Sequence, residues 1–196
     1  MSGEEPTQAE VEAAVANVET AAAVMDHVRT HVGPVEAVFH ELESETIAID
    51  IHHVPPTADR NCHTLVTSGM SDQPMPEGSG VQYGELVMCL PPDWPLDEEA
   101  LEDDVSAWPI EMLRALGRLP HAHGMAFDFG LCTDDPTLPF DMAAAAGFSA
   151  VLLAPPVTIP DAFWRLEAAN GKAIEFFGIV MLYPGELDCA RYEGAV

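Results

Sequence analysis

Three times in this chain an apolar run of strand length stops at a Pro-Pro pair: Thr46–Val54 at Pro55-Pro56, Tyr83–Leu90 at Pro91-Pro92, and Phe148–Ala154 at Pro155-Pro156. Proline has no N–H to give a ladder and pushes the residue before it into extended geometry, so each pair marks where a strand ends. In the first run Ile47, Ile49 and Ile51 alternate with Ala48, Asp50 and His52, the period of a half-buried strand. Val35–Leu42 precedes it, and Glu43-Ser44-Glu45 reads as the turn of a β-hairpin. YGELVMCL (83–90) is almost continuously apolar, as in a strand covered on both faces. Met125–Cys132 also reads as a strand. Asn170-Gly171 joins Leu166–Ala168 to Lys172–Tyr183 with the strongest hairpin signal in the chain.

Helices account for the rest. Residues 7–32 read as one, opened by a capping box of Thr7 and Glu10 and closed by Gly33-Pro34. Its predicted inner stripe is Val11, Val15, Val18, Ala22, Met25 and Val32, with Glu12, Glu19 and Asp26 on the solvated face. A second helix is expected from a Ser106 cap, with Pro109 in its first turn and Ile110, Leu113, Leu116 and Gly117 inward, ending at Leu119-Pro120. Asp161 opens a short helical turn and Pro184-Gly185-Glu186 a last, truncated helix. The order predicts an α/β (α+β) fold: a mixed, largely antiparallel central sheet flanked by helices. The expected organisation is an N-terminal amphipathic helix (1–34) packed on a single globular unit (35–196).

Asn61–Met75 lies at the centre of this order. It starts as a strand and breaks at Ser68-Gly69-Met70-Ser71-Asp72, where Gly69 permits positive φ and the Ser and Asp side chains can bond nearby backbone. A strand emptying into small polar residues can hold a binding loop on a rigid scaffold, and it is also how many strands end.

Thirty-three Asp and Glu against seven Lys and Arg give a formal charge of −26 over 196 residues. Such a surface excludes direct binding to nucleic acid or to an anionic membrane, since phosphate contacts need cations. It fits a need for solubility, a saline interior, or a basic partner drawn in electrostatically. The run Asp97, Glu98, Glu99, Glu102, Asp103, Asp104 reads as a solvated face. No apolar run reaches the ~18 residues of a membrane span and the N-terminus is not a signal peptide, so a cytoplasmic location is expected.

Cys62, Cys89, Cys132 and Cys189 form no CxxC, and no HExxH is present, so neither a metal site nor a cofactor is expected. His52 and His53 are adjacent and point to opposite faces of a strand. A small hydrolase or metal-dependent enzyme built on Asp72 with His63 or His121 is the alternative to a binding protein; no nucleophile–base constellation supports it, so no catalytic residue is assigned.

Five segments together resemble the suppressor-of-fused family: HTLVTSGMSDQPMP (63–76), YGELVMCLPPDWPL (83–96), WPIEMLRALGRLP (108–120), FSAVLLAPP (148–156) and FFGIVMLYPGEL (176–187). The resemblance spans roughly residues 35–190. It implies a suppressor-of-fused-like α/β fold without enzymatic activity. The animal member sequesters a transcription factor of Hedgehog signalling by gripping an extended peptide, and small bacterial members look like immunity proteins that neutralise a toxin. Where the family has Gly-His-Thr, this chain has Gly130-Leu131-Cys132-Thr133, and its C-terminal helix is cut short at Glu193-Gly194.

The resulting expectation is a sequestering protein whose partner, a basic toxin or an extended peptide, docks on Thr67, Ser68, Gly69, Met70, Ser71, Asp72, Met75, Trp94 and Trp108. Loop polar groups would set register and the aromatics and methionines would supply buried area.

Overall fold

The computed structural model describes residues 7–41, 44, 46–143 and 146–193, the side chains of 9–13 and 189–193 excepted. The Thr7–Glu10 capping box, Val11, Glu12, the turn at Glu43-Ser44-Glu45, the Cys189 thiol and Gly194 lie wholly or partly outside this set.

Among the described residues three α-helices, α1 (Gln8–His31), α2 (Asp104–His123) and α3 (Pro184–Glu193), accompany eight strands: β1 (Ala37–Phe39), β2 (Asp50–Val54), β3 (His63–Ser68), β4 (Tyr83–Leu90), β5 (Cys132–Thr133), β6 (Ala150–Ala154), β7 (Arg165–Glu167) and β8 (Ala173–Leu182). They form one sheet in the order β1-β2-β3-β4-β8-β6-β5, with β7 also on β8. β1 to β4 make an antiparallel meander, and β4 pairs with β8 in parallel, Tyr83 opposite Ile174. β7 and β6 lie one after the other along the opposite edge of β8, paired at Arg165–Glu175 and Ala154–Gly178. The sheet is therefore mixed and largely antiparallel. All three Pro-Pro pairs follow a strand end directly, and β4 coincides with YGELVMCL.

Alternation along the strands sends side chains into two layers. Leu65, Leu86, Met88 and Phe177 face α2, where Met112, Leu113, Leu116 and Leu119 meet them. Val66, Val87, Ile174 and Phe176 face α1 and its Val24, Val28 and Val32.

Four expectations need correction. The inner face of α1 is Thr20, Val24, Val28 and Val32, an i, i+4 series, whereas Val15 and Val18 are 53% and 71% exposed and Ala22 is exposed. Asn170 ties the helix to the sheet at Thr20, its Nδ2 donating to Thr20 Oγ1 at 2.9 Å. Second, α2 starts at Asp104, because the Ser106 and Ala107 amides already bond Asp103 O. It also passes through Pro120 to a left-handed Gly124 (φ 66°), one turn beyond the predicted end. Third, Met125–Leu131 is not a strand: Gly124 and Gly130 both take positive φ and interrupt the extended backbone, so the strand itself is Cys132–Thr133 on β6, with Gly130 and Leu131 adding backbone bonds to Leu153. Fourth, the first hairpin is looser than predicted, with ten residues between β1 and β2.

Candidate functional site

β3 ends at Ser68, and the chain turns on Gly69 (φ 114°, ψ −30°) into a single 3-10 turn, Met70–Asp72. A side chain at Gly69 would place its Cβ 2.1 Å from the Ala48 carbonyl oxygen, so the turn presses directly against the segment before β2. Beneath it lies Glu85 of β4, fully buried. Its Oε1 accepts from the Gly69 amide (3.1 Å), the Ser71 amide (2.9 Å) and the Ser71 hydroxyl (2.6 Å), and its Oε2 from the Thr67 hydroxyl (2.6 Å). Thr67 Oγ1 in turn accepts the Leu86 amide at 2.8 Å, completing a place where the β3–β4 ladder has stopped. Burial raises the Glu85 pKa, against the lowering effect of these donors. From outside, Lys172 Nζ donates to the carbonyls of Ser71 (2.9 Å) and Asp72 (3.3 Å), and His121 Nε2 bonds the Met70 carbonyl at 3.0 Å. The turn is fastened at almost every residue.

The nine residues singled out from sequence divide by burial. Thr67, Ser68, Met70, Ser71, Met75 and Trp108 are at most 7% exposed, and Gly69 is buried as well. Met70, Met75 and Trp108 belong to the core facing α2, and Trp108 stacks its edge on Trp94 at 5.9 Å. Trp94 is half-buried, with Nε1 donating to Ser106 O. Ser68, Gly69 and Asp72 line one wall of a groove of about 440 Å³, and of these three only Asp72 is partly exposed.

That groove is completed by Asn17, Val18 and Ala21 of α1 and by His40, Glu41, Ala48 and Asp50 around the β1–β2 connection. Its acids are not equivalent. Asp50 is engaged on both oxygens, by His40 Nδ1 at 2.8 Å and the Glu41 amide at 3.0 Å. Glu41 bonds the Ile49 amide and pairs with Arg118. Asp72 differs: its Oδ1 is buried without a hydrogen-bond partner. Burial raises its pKa, Lys172 opposes the rise and Asp50 adds to it. On the floor, Ser68 Oγ bonds His52 Nε2 at 2.9 Å. The groove thus offers carboxylates, one of them short of a donor, beside the exposed Val18. Chemically, such a groove has room for a cationic group flanked by an apolar one.

For the enzymatic alternative, His63 is engaged by His53 (2.8 Å) and the Pro92 carbonyl, and His121 by the Met70 carbonyl, so these bonds tie both histidines to groups other than Asp72. Among the described residues no group of three His, Cys, Asp or Glu is placed to hold a metal, and no helix is long and apolar enough to cross a membrane.

Sequence reasoning passed over Glu85 and the opposite wall of the groove. One signal was available for Glu85: a lone carboxylate inside a strand covered on both faces must find several donors, and Ser71, Gly69 and Thr67 are the nearest polar cluster.

The sequence model of the family described as Suppressor of fused protein (SUFU) matches residues 45–196. No curated protein matches the chain in sequence. Among solved structures it is similar to a SUFU homologue of Neisseria gonorrhoeae FA 1090 (16% identity, TM-score 0.59, covering 91% of this chain and 85% of that one). It is also similar to the Sufu–Fu complex (18% identity, TM-score 0.59, covering 88% and 79%). The mixed sheet with its flanking helices is the fold these structures share.

Proposed function

The chain belongs to the suppressor-of-fused family, and from that membership we propose that it is a non-enzymatic module that sequesters a protein partner in the groove between α1 and the Ser68–Asp72 turn. The observation that carries the reading is the pairing of an unsatisfied, buried Asp72 oxygen with an exposed apolar lip in a molecule of charge −26. A structural relative solved in complex with Fu supports a protein as the ligand. The partner is a basic protein that inserts a Lys or Arg beside Asp72 and rests apolar side chains on Val18, with Trp94 as a second, separate contact. We infer that this partner is a toxin acting in the cytoplasm and that the chain is its immunity protein. Long-range attraction speeds capture, and the preformed groove sets register.

The test is affinity capture of tagged protein from the source lysate at low and high salt, in parallel with an Asp50→Asn/Asp72→Asn variant. The captured protein is then expressed with and without this chain. A stoichiometric basic partner, released by salt and by the double substitution, and toxic only when expressed alone, is the expected result. Retention unaffected by the substitutions would move the site elsewhere. Capture of nothing at either salt would sink the binding reading.

A further inference from the structure

His53 and His63 do not line the groove, yet the fold brings their ring nitrogens face to face. In the β2–β3 register His53 stands opposite Leu65, two residues beyond His63, so the two imidazoles take diagonal positions on one face of the sheet. Their ring centroids are 5.0 Å apart, and His53 Nε2 lies 2.8 Å from His63 Nδ1. The far nitrogen of His63 fixes where the proton sits. It lies 3.2 Å from the Pro92 carbonyl, which can only accept, so Nε2 carries the hydrogen and neutral His63 keeps a bare lone pair on Nδ1. His53 Nε2–H donates to that lone pair. His53 is backed by Phe39, stacked at 6.2 Å, and is 7% exposed. His63 is only half-buried, at the start of β3, and gives the pair its opening to solvent.

Two imidazoles on one cation are spaced in nearly the same way. With metal–nitrogen bonds of about 2.0–2.1 Å, ligands at octahedral to tetrahedral angles stand about 2.9–3.4 Å apart. The 2.8 Å contact reaches the narrow end of that range with little movement. His63 also has the outer bond that orients a metal-binding histidine, its remote N–H given to a backbone carbonyl.

We propose that His53 and His63 together bind one late first-row divalent cation, of the zinc, nickel or copper type, between β2 and β3. On binding, His53 moves its proton from Nε2 to Nδ1, so both imidazoles stay neutral and both facing nitrogens become ligands. Water fills the remaining positions, since among the described residues no group of three His, Cys, Asp or Glu is placed around a cation. Two protein ligands hold the ion more weakly than the four of a structural zinc site, and binding is reversible. Calcium and magnesium, which take oxygen ligands, do not suit the pair. The bound ion staples the end of β2 to the start of β3 and, through the Pro92 carbonyl, to the chain leaving β4.

The experiment is a Zn²⁺ titration of the full chain, labelled with nitrogen-15 in its histidines and followed by long-range proton–nitrogen correlation of the ring nitrogens. Mg²⁺ serves as the control for general attraction to a molecule of charge −26. His27 and His31, with ring centroids 4.5 Å apart on α1, are a comparison pair within the same molecule. The expected result is that His53 Nε2 and His63 Nδ1 move first and together, with His53 changing tautomer, while Mg²⁺ at the same concentration moves neither. In equilibrium dialysis His63→Gln should weaken zinc binding at this site by about tenfold or more. A first response at His27 and His31 or at any other histidine, the same response to Mg²⁺, or unmoved His53 and His63 at saturating zinc would each overturn the proposal. The wild-type spectra decide this even if the variant fails to fold.

Discussion

Glu85 takes two hydrogen bonds from Ser71, one from its amide at 2.9 Å and one from its hydroxyl at 2.6 Å, across a fully buried contact between β4 and the turn that follows β3. The first prediction follows from the donors that would be stranded. Glu85→Ala leaves two amides and two hydroxyls facing a void and should cost about 3–5 kcal/mol. Glu85→Gln keeps an acceptor for Gly69 and Ser71 but turns an N–H toward Thr67, and should cost about 1–3 kcal/mol. Chemical denaturation measures both; an alanine variant as stable as wild type would show that the turn does not depend on this carboxylate.

Two glycines separate backbone from side-chain crowding. Gly69→Ala needs a positive φ of 114° and sets its Cβ against the Ala48 carbonyl at 2.1 Å, where neither backbone can yield. It should destabilise by about 3 kcal/mol or more, and it should alter the groove as well. Gly117→Ala in α2 meets only the tip of Ile49 at 2.7 Å, and the ~1 kcal/mol gain in helix propensity offsets that contact. Its stability should stay within about 1 kcal/mol of wild type. Equal losses in the two variants would sink the distinction.

Stability should respond to pH in two opposite senses. Burial lowers the pKa of His27, His52, His53 and His121 below the usual 6.5. Their contribution is therefore complete above pH 6.5 and is lost as pH falls through the depressed values. His27 is the clearest case, stacked between Phe163 and Phe176 and bonded to the Phe163 carbonyl at 2.9 Å. Burial raises Glu85 and Asp72 above 4.5 and 3.8, so their contribution is complete below those values and declines as pH rises through the elevated ones. Melting temperature across pH 4 to 8 should pass through a maximum. His27→Phe should shallow the acid limb and Glu85→Gln the other; unchanged limbs in both variants would refute the assignment.

Salt offers a fourth test. Asp97, Glu98, Glu99, Glu102, Asp103 and Asp104 are all exposed between β4 and the first turn of α2, in a molecule of net charge −26. Screening shortens from ~10 Å at 0.1 M to ~3 Å at 1 M, so self-repulsion should fade and the melting temperature should climb over that range. A flat response would mean that the acids are spaced too widely to repel.

Much of the sheet was legible because its signals are local. Pro-Pro pairs end strands by removing donors, and Asn170-Gly171 supplies the positive φ that its turn takes at Gly171 (84°). What escaped depends on contacts distant in sequence. The inner face of α1 is chosen by Val54, Val66 and Phe176, not by the count of valines along the helix. The groove joins α1, the β1–β2 connection and the β3 turn, and no periodicity announces that Asp72 and Val18 line the same groove. The Ser68–Asp72 stretch was recognisable as a special turn; that most of it is internal support could be seen only with Glu85 beneath it.

The parallel pairing of β4 with β8 sets an order of events during synthesis. β1 to β4 can zip together as soon as Leu90 is made, but the free edge of β4 must wait for residues 173–182, with the whole of α2 and three strands produced in between. Until then Tyr83–Val87 is an open, apolar strand edge, the kind that recruits strands from other chains. The acidic run that follows directly on β4 gives nascent chains a shared charge in that interval, and chains stalled before Ala173 should aggregate sooner when those acids are replaced by amides.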